Sequence, residues 1–236
     1  MTQPPPLRAF CSIALQKIVE ASAPIFEREQ GQALVVGFGT SVKVTERFCA
    51  GEPADLVLLT AALIDALTTE GKLVPGSRVD IAQSRVGLAV RADAPFPDIS
   101  DAARFKQVLL AARSVAYSHP SSGGASGVHL AKIMTRLGIA EAIDANAQYG
   151  YGTPVAEFLL SGEADVAVQQ MSELKLVEGI QIVPLPDELQ SVTVFSAGIV
   201  AASDQPKAAR ALVTLLTGAQ AAEAIATSGM EMPGEI

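Results

Sequence analysis

The chain has 236 residues, of which 49% are hydrophobic and 18% charged, and its formal net charge is −8. This length accommodates one large domain or two lobes of roughly 100 to 150 residues. A negative charge without any lysine- or arginine-rich run argues against nucleic acid as a partner, because a nucleic-acid-binding face must neutralise phosphates. No run approaches the roughly 18 uninterrupted apolar residues of a membrane-spanning helix. We therefore expect a globular protein that neither binds nucleic acid nor inserts into a membrane.

The first ten residues, MTQPPPLRAF, form a short polar and proline-rich lead. They lack the charged, then hydrophobic, then small-residue pattern of a secretion signal. Two interpretations stay open: the protein is cytoplasmic if Met1 is the native start, or periplasmic if a signal has been removed ahead of it. Cys11 and Cys49 are too few for a disulfide framework and lack zinc-site spacing, so we expect two buried free thiols and no metal.

Short apolar runs rich in Val, Ile and Leu alternate along the chain with segments of helical period. This alternation is typical of a parallel or mixed sheet covered by helices, and it predicts an α/β fold. The predicted strands lie near residues 7–12, 33–38, 55–59, 79–91, 114–117, 146–149, 165–168, 180–183 and 191–202. The first helix is predicted over about 14–30, where apolar residues share one face and Gly31 follows as a stop.

Two apolar segments are long for strands: IAQSRVGLAVRA (81–92) and SVTVFSAGIVAAS (191–203). Long strands can pass from one lobe into another. We therefore expect residues 1–84 and 196–236 to form a first lobe and residues 85–195 a second. The two crossover strands would then act as a hinge that closes the lobes on a ligand in the cleft between them. The alternative is one continuous sheet with two ordinary long strands.

The segment GFGTS (37–41) ends an apolar strand and leads into VKVTERFCAG, which has helical spacing. Gly39 permits close backbone approach. Thr40 and Ser41 bring hydroxyl and backbone N–H groups to a helix start, where the helix dipole favours an anion. These two residues are candidate ligand contacts. Alternatively, Ser41 is only the N-cap of the helix.

The segment YSHPSSGGASGVHLAKIMTRLG (117–138) also joins a strand to a helix. Its SSGGASG stretch exposes successive backbone N–H groups at the helix start, which makes a concave site for an anion. No lysine follows the glycines, so the stretch is not the phosphate loop of nucleotide hydrolases. The alternative is a flexible connector. The candidate ligand residues here are Ser121, Ser122, Gly123, Gly124, Ala125 and Ser126.

The segment VQQMSE (168–173) follows the apolar strand ADVAV. The amides of Gln169 and Gln170 can donate and accept hydrogen bonds, which suits a ligand with carboxylate and hydroxyl groups. Alternatively, they only satisfy the polar backbone of the loop.

All three polar segments lie at the carboxyl ends of predicted strands, where open α/β sheets bind their ligands. Other chemistry has less support. Neither His119 nor His129 stands in a nucleophile-elbow motif, and no cluster of His, Cys or carboxylates has metal-ligand spacing. We expect no cofactor, a packed His129 one turn inside a helix, and a loop position for His119.

Four segments of the chain match, in order and spacing, those of the periplasmic molybdate receptors: FGTSVKVTERFCAGEPADLVLL, GSRVDIAQSRVGLAVRADAP, YSHPSSGGASGVHLAKIMTRLGI and LLSGEADVAVQQ. The chain thus resembles this solute-binding family, which has the type 2 periplasmic-binding-protein fold, over nearly its whole length. The resemblance implies a small-anion receptor, with an ABC transporter permease as partner if the protein is exported. It also implies that Ser41 hydrogen-bonds the ligand and that Ala125 and Gly152 lie near backbone N–H donors to it.

The resemblance breaks down at two of the five expected oxyanion contacts. The serine of the family's first loop falls on Ala14, although Ser12 lies two residues earlier, and its ligand-binding tyrosine falls on Gln170. A dehydrated oxyanion depends on nearly every donor, because an unpaired buried charge is costly. We therefore expect an organic carboxylate rather than molybdate, with Ser12 as a further candidate contact.

The aconitate isomerases are a branch of proteins with a similar fold that is used for catalysis. The QQMSE loop and the SSGGASG stretch of this chain resemble the corresponding parts of that branch. Such an enzyme moves a proton next to a carboxylate and needs a base within hydrogen-bond reach. Under this alternative, His119 and Glu173 are the candidate catalytic residues. The receptor remains the first hypothesis, and an orphan sensor is a third.

Overall fold

The computed structural model describes residues 4–234. Its strands are β1 (Leu7–Ser12), β2 (Leu34–Gly39), β3 (Leu56–Thr60), β4 (Val79–Arg91), β5 (Val115–Ser118), β6 (Gln148–Gly150), β7 (Val166–Gln170), β8 (Ile180–Pro184), β9 (Val192–Ile199) and β10 (Met230–Glu231). Its α-helices are α1 (Gln16–Gln30), α2 (Ser41–Cys49), α3 (Ala61–Thr69), α4 (Ala102–Ala111), α5 (Ala125–Leu137), α6 (Ala140–Asp144), α7 (Glu157–Leu160), α8 (Met171–Leu174), α9 (Pro206–Thr217) and α10 (Ala219–Thr227). The predicted α/β class is confirmed.

The chain forms two compact units. Unit 1 contains the residues up to Gln83 together with those from Thr193 onward, and unit 2 runs from Ser84 to Val192. The chain crosses from one unit to the other inside β4 and again at the start of β9. Within the described residues 4–234, no helix is long and apolar enough to cross a membrane.

Unit 1 is built on a sheet in which β1 lies between β2 and β3, all three parallel, and β9 pairs antiparallel with β3. Apolar side chains of the sheet are buried against α1, α9 and α10. Helix α1 buries the predicted face and ends at Gly31, whose φ of 61° is the left-handed conformation that glycine adopts without strain. This packing fixes the carboxyl ends of β1 and β2 side by side.

Unit 2 has a mixed sheet in which β5 lies between β6 and β7, with both pairs parallel. On the outer side of β7, β4 pairs antiparallel, and β8 also pairs antiparallel with β4. Helices α4 and α5 pack Phe105, Leu109, Leu130 and Ile133 into the core of this unit. The carboxyl ends of the parallel strands β5, β6 and β7 therefore lie next to one another.

Two sequence expectations were wrong in detail. Cys11 is buried, but Cys49 is exposed near the end of α2, where Lys72 Nζ donates a hydrogen bond to its sulfur over 3.1 Å. Strand β9 ends at Ile199 rather than near residue 202. The chain turns there, because Ala201 N–H bonds to the carbonyl of Lys72 and Ser203 N–H bonds back to Val200.

Candidate functional site

In unit 1, the predicted polar residues gather at the carboxyl ends of β1 and β2. Ser12, the last residue of β1, pairs in register with Gly39 of β2 and is buried. The next residues, 13–15, form one turn of 3₁₀ helix in which Ala14 is buried. Ser12 is therefore the hydroxyl residue at this strand end, and Ala14 brings no polar side chain to it.

Thr40, not Ser41, is the N-cap of α2. Its hydroxyl oxygen accepts a hydrogen bond from Lys43 N–H over 3.3 Å. Ser41 is the first helical residue and is only 7% exposed. The alternative in which Ser41 serves as the cap is wrong, because Thr40 already satisfies that requirement. The Ser41 hydroxyl thus lies at the positive end of the α2 dipole without a capping role.

In unit 2, a tight loop joins β5 to α5. The chain passes from Ser118 through a 3₁₀ turn at Pro120–Ser122 to Gly123, whose φ of 72° is left-handed. Gly124 precedes α5, and a side chain there would lie 3.3 Å from the Cβ of Ser118. The loop is thus a folded connection that packs the start of α5 against the end of β5.

The start of α5 has the features of an anion site. The first N–H groups of an α-helix have no acceptor inside the helix, and in α5 these belong to the turn that begins at Ala125. Ala125 is exposed, whereas Ser126 and the neighbouring Ser118 are buried. Backbone donors, the helix dipole and buried hydroxyls therefore converge at one place.

Two of the predicted ligand residues, Ser121 and Ser122, bond to His119 through their hydroxyl groups. Ser121 Oγ lies 2.6 Å from His119 Nδ1, and Ser121 N–H donates to the same nitrogen over 3.1 Å. Ser122 Oγ donates to the carbonyl oxygen of His119 over 2.7 Å. Both serines shape the loop around the histidine.

His119 is held between aromatic rings that the sequence interpretation missed. Its ring stacks on Tyr151 at 5.3 Å between centroids and meets Tyr149 edge-on at 4.8 Å. Its backbone N–H donates to the carbonyl of Gly150 over 3.0 Å. The repeated tyrosines of YGYG (149–152), at the end of a predicted strand, were the available indication. The second histidine, His129, bonds through Nε2 to the Leu189 carbonyl and so connects α5 with the 3₁₀ turn at Asp187–Leu189.

The loop after β6 contains Gly152, whose φ of 92° is a conformation that other residues rarely adopt. Its neighbour Tyr151 is 54% exposed while its ring covers His119. Gly152 therefore lies beside the α5 site within unit 2, at the adjacent strand end.

Gln169 and Gln170 are not loop residues but the buried last residues of β7. The side chain of Gln169 accepts a hydrogen bond from Val155 N–H over 2.9 Å. Its amide nitrogen donates to Ser118 Oγ and to the Thr153 carbonyl, each over 3.3 Å. Gln169 thereby connects the ends of β5 and β7 with the loop after β6.

Glu173 on α8, directly after β7, is an ionisable group of altered acidity. Burial raises the pKa of Glu173 to about 7, and a hydrogen bond from the Gln169 side chain opposes this rise. The carboxyl group can thus both hold and release a proton near neutral pH. Among the described residues, no cluster of three or more His, Cys, Asp or Glu side chains could hold a metal ion.

Comparison with known proteins identifies relatives across nearly the full chain. The family model described as "Bacterial extracellular solute-binding protein" matches residues 7–231. An aconitate isomerase from a Pseudomonas species is 38% identical over 232 residues, which cover 95% of this chain and 87% of that protein.

Solved structures show the same fold at low sequence identity. The periplasmic molybdate-binding protein of Azotobacter vinelandii superposes with a TM-score of 0.78 at 21% identity, covering 96% of this chain and 99% of that one. The sulfate-binding protein SubI of Mycobacterium tuberculosis gives a TM-score of 0.76 at 18% identity, covering 98% and 88%. These matches show that the chain shares the fold of these two proteins.

Proposed function

The chain belongs to the bacterial extracellular solute-binding protein family, as its sequence resemblance implied, and on this premise we propose that it binds a small organic anion with several carboxylate groups. The start of α5 carries the proposal. There, unpaired helix N–H groups lie beside the buried Ser118 and Ser126. Such a site stabilises negative charge without placing a cation next to it.

Two observations favour a carboxylate over molybdate. The molybdate receptors bring a serine and a tyrosine to positions where this chain has Ala14 and Gln170, and both residues are buried here. A tetrahedral oxyanion would lose two hydroxyl donors, which together contribute several kcal/mol when the site is dry. A larger ligand can instead distribute its charge over separate groups, with backbone N–H donors and hydroxyls each contacting one carboxylate.

For a solute receptor of this family, an ABC transporter permease is the partner that would receive the ligand. This role requires that the protein reaches the periplasm. We propose it together with carboxylate capture, since a receptor without a permease would only sequester its ligand.

The second candidate function is isomerisation of aconitate on the same site. The 38% identity to an aconitate isomerase over 95% of this chain favours it. A carboxyl group with a pKa of about 7 at the ends of β5 and β7 also favours it, because a base works best near the operating pH. The receptor and the enzyme share the anion site and differ in turnover.

A thermal-shift panel tests the first proposal. Molybdate, tungstate, sulfate, acetate, and di- and tricarboxylates are each added to the protein at matched ionic strength. A ligand at 100 times its dissociation constant adds about 2.7 kcal/mol of stability. We expect a shift with tricarboxylates and none with acetate. If molybdate is the one anion that gives a shift, or if none of the anions gives a shift, the carboxylate proposal is overturned.

Turnover tests the second candidate. The protein is incubated with cis- or trans-aconitate, and the isomers are separated by chromatography. If the reactions started from cis-aconitate and from trans-aconitate reach the same final mixture of isomers, the protein catalyses their interconversion. If the isomer mixture is unchanged after hours at high protein concentration, the protein does not catalyse this reaction. That result would not contradict the proposal that it binds a carboxylate.

A further inference from the structure

We propose that His119 contacts the bound anion, and that its Nε2–H group donates a hydrogen bond to one of the carboxylates of the ligand. The inference rests on the proposed binding of an organic carboxylate. It gives His119 the role of a neutral donor, in place of the role of a base for which the sequence made it a candidate.

The loop before α5 fixes the position of the proton on the His119 ring. The backbone N–H of Ser121 lies 3.1 Å from His119 Nδ1 and can only donate, so Nδ1 is the acceptor of this hydrogen bond. A proton on Nδ1 would meet the hydrogen of that N–H group. In the neutral imidazole one nitrogen carries the proton and the other accepts, so the proton is on Nε2.

This tautomer leaves the neutral ring without a free basic nitrogen. Ser121 occupies the lone pair of Nδ1, and Nε2 presents an N–H group. The two ring nitrogens point in divergent directions, so Nε2 is turned away from Ser121. Within residues 4–234, no group bonds to His119 Nε2. The half-buried ring thus offers one donor for which the described part of the protein supplies no acceptor.

Two tyrosines hold the His119 ring in its orientation. Tyr151 stacks on it with 5.3 Å between the ring centroids, and Tyr149 meets it edge-on at 4.8 Å. The Tyr149 hydroxyl lies 3.5 Å from the hydroxyl of the buried Tyr117, which is itself bonded to Asp144. The ring is therefore preorganised, and little conformational freedom is lost when its donor binds a ligand.

The backbone of His119 is fixed beside the start of α5. The preceding residue is Ser118, whose Oγ lies 3.5 Å from the position that a side chain would take at Gly124, the residue before α5. The His119 carbonyl oxygen accepts from Ser122 N–H over 2.9 Å and from Ser122 Oγ over 2.7 Å. The loop that holds Nδ1 is thus the loop that leads into the helix.

The direction of Nε2 bears on the class of ligand. Because Nε2 is turned away from the loop that leads to α5, its acceptor is a second carboxylate and not the one bound at the helix start. A ligand with one carboxylate cannot satisfy both places. Di- and tricarboxylates can, so His119 contributes to selecting them over monocarboxylates such as acetate.

NMR of the histidine rings tests the tautomer and the contact. The chain has two histidines, so the ring signals of His119 and His129 are assigned by substituting one of them. At about pH 8, where a histidine is ordinarily neutral, the ligand-free protein should show His119 with a bare Nδ1 and a protonated Nε2. Trans-aconitate should shift the Nε2–H signal of His119 and leave that of His129 unchanged. A protonated Nδ1, or an unchanged His119 signal at saturating trans-aconitate, would overturn the proposal.

Two substitutions at His119 separate its bond to the loop from its bond to the ligand. His119→Asn keeps an acceptor for Ser121 N–H, as in an Asx-turn, but has no group in place of Nε2. It should melt close to the wild type and bind trans-aconitate about ten- to hundredfold more weakly, as measured by calorimetry. His119→Gln brings an amide N–H near the former Nε2 and should recover much of this affinity. His129→Gln, which alters the other histidine of unit 2, is the matched control and should bind as the wild type does.

If the wild type turns over aconitate, kinetics separate a donor from a base. Loss of a contact that is made equally before and during the reaction raises KM and leaves kcat nearly unchanged, and we expect this of His119→Asn. Loss of a general base lowers kcat about a hundredfold or more. A fall in kcat of that size in both His119→Asn and His119→Gln would overturn the assignment of a neutral donor.

Failure of the proposed function and failure of this inference give different results. If neither trans-aconitate nor another tricarboxylate binds to the wild type, the proposed function falls and this inference falls with it. If trans-aconitate binds equally well to the wild type, His119→Asn and His119→Gln, the proposed function stands and only the role of His119 is overturned.

Discussion

A methyl group on the α-carbon of Gly127 would lie 2.0 Å from the carbonyl oxygen of Ser118. Helix α5 can therefore approach the end of β5 this closely only because residue 127 has no side chain. The contact sets the position of the helix start, and with it the N–H groups to which we assign anion binding.

Replacing Gly127 by alanine should destabilise the protein by at least about 2 kcal/mol, since backbone must move to relieve the overlap. The sign of this change in unfolding free energy is informative, because replacing glycine by alanine inside a helix ordinarily stabilises a protein by about 1 kcal/mol. Urea denaturation measures the change. Gly124→Ala is the matched control, because its nearest contact would be 3.3 Å away. Equal stability of the two variants would contradict the close approach.

Alanine substitutions at Thr40 and Ser41 should have different effects, the first on the stability of the protein and the second on its affinity for the ligand. Thr40→Ala removes the cap of α2 and should cost about 1 kcal/mol of unfolding free energy. Ser41→Ala should leave stability nearly unchanged and weaken carboxylate affinity about ten- to hundredfold, as expected for one hydrogen bond to a charged group. Melting temperature and calorimetric affinity are measured on the same samples. A Ser41→Ala protein that melts early yet binds normally would remove Ser41 from the site.

Asp55 should be a structural residue of unit 1. Its carboxylate accepts hydrogen bonds from Arg8 N–H over 2.9 Å, from Ser203 Oγ over 2.6 Å and from Gln205 Nε2 over 3.2 Å. Asp55→Ala leaves these donors unsatisfied and should cost about 2 to 4 kcal/mol. Replacing the exposed Asp204 by alanine removes the same charge and should lower the unfolding free energy only a little. Chemical denaturation of both variants decides whether the bonds or the charge matter.

The stability effect of Glu173 should depend on pH. Burial raises its pKa from about 4.5 to about 7, so between these pH values the folded protein binds more protons than the unfolded chain. The unfolding free energy then falls as the pH rises through this range. A shift of this size has an upper bound of about 3 kcal/mol, and we expect about 1 to 2 because the side chain keeps some contact with solvent.

Glu173→Gln removes that pH-dependent loss. The variant should be more stable than the wild type at pH 8 and show no such advantage at pH 4.5, where Glu173 is protonated. Urea denaturation at the two pH values measures the difference. A stability difference that is the same at both values would show that Glu173 is not titrating in this range.

The fold could be predicted from the sequence because the pattern that indicates each strand or helix lies within its own segment of the chain. Apolar runs and helical periods alternate regularly, and most predicted strands lie within two residues of the observed ones. The two-residue difference at the end of β7 has a physical reason. Gln169 and Gln170 read as polar loop residues, but the strand buries them because their amides find partners inside the protein, as the three hydrogen bonds of Gln169 show. The two-residue strand β10 was too short to predict.

The interior of the candidate site could not be predicted, because it depends on strand register. Tyr117 of β5 pairs with Tyr149 of β6 and with Val168 of β7. This alignment brings the rings of Tyr149 and Tyr151 against His119 from some thirty residues along the chain. Periodicity and motif spacing carry no such information, so the aromatic setting of His119 and the link from Gln169 to Glu173 emerge only from the structure.

The antiparallel pairing of β3 with β9, from Leu56 with Ile199 to Thr60 with Phe195, imposes an order of events on synthesis. All of unit 2 leaves the ribosome before β9 does, and domains fold as units while the chain emerges. Meanwhile β3, whose Leu56, Val57, Leu58 and Leu59 are fully buried in the finished protein, has an unpaired edge. Open apolar edges are templates for aggregation. The nascent chain should therefore need protection by chaperones for as long as the last strand of unit 1 is missing.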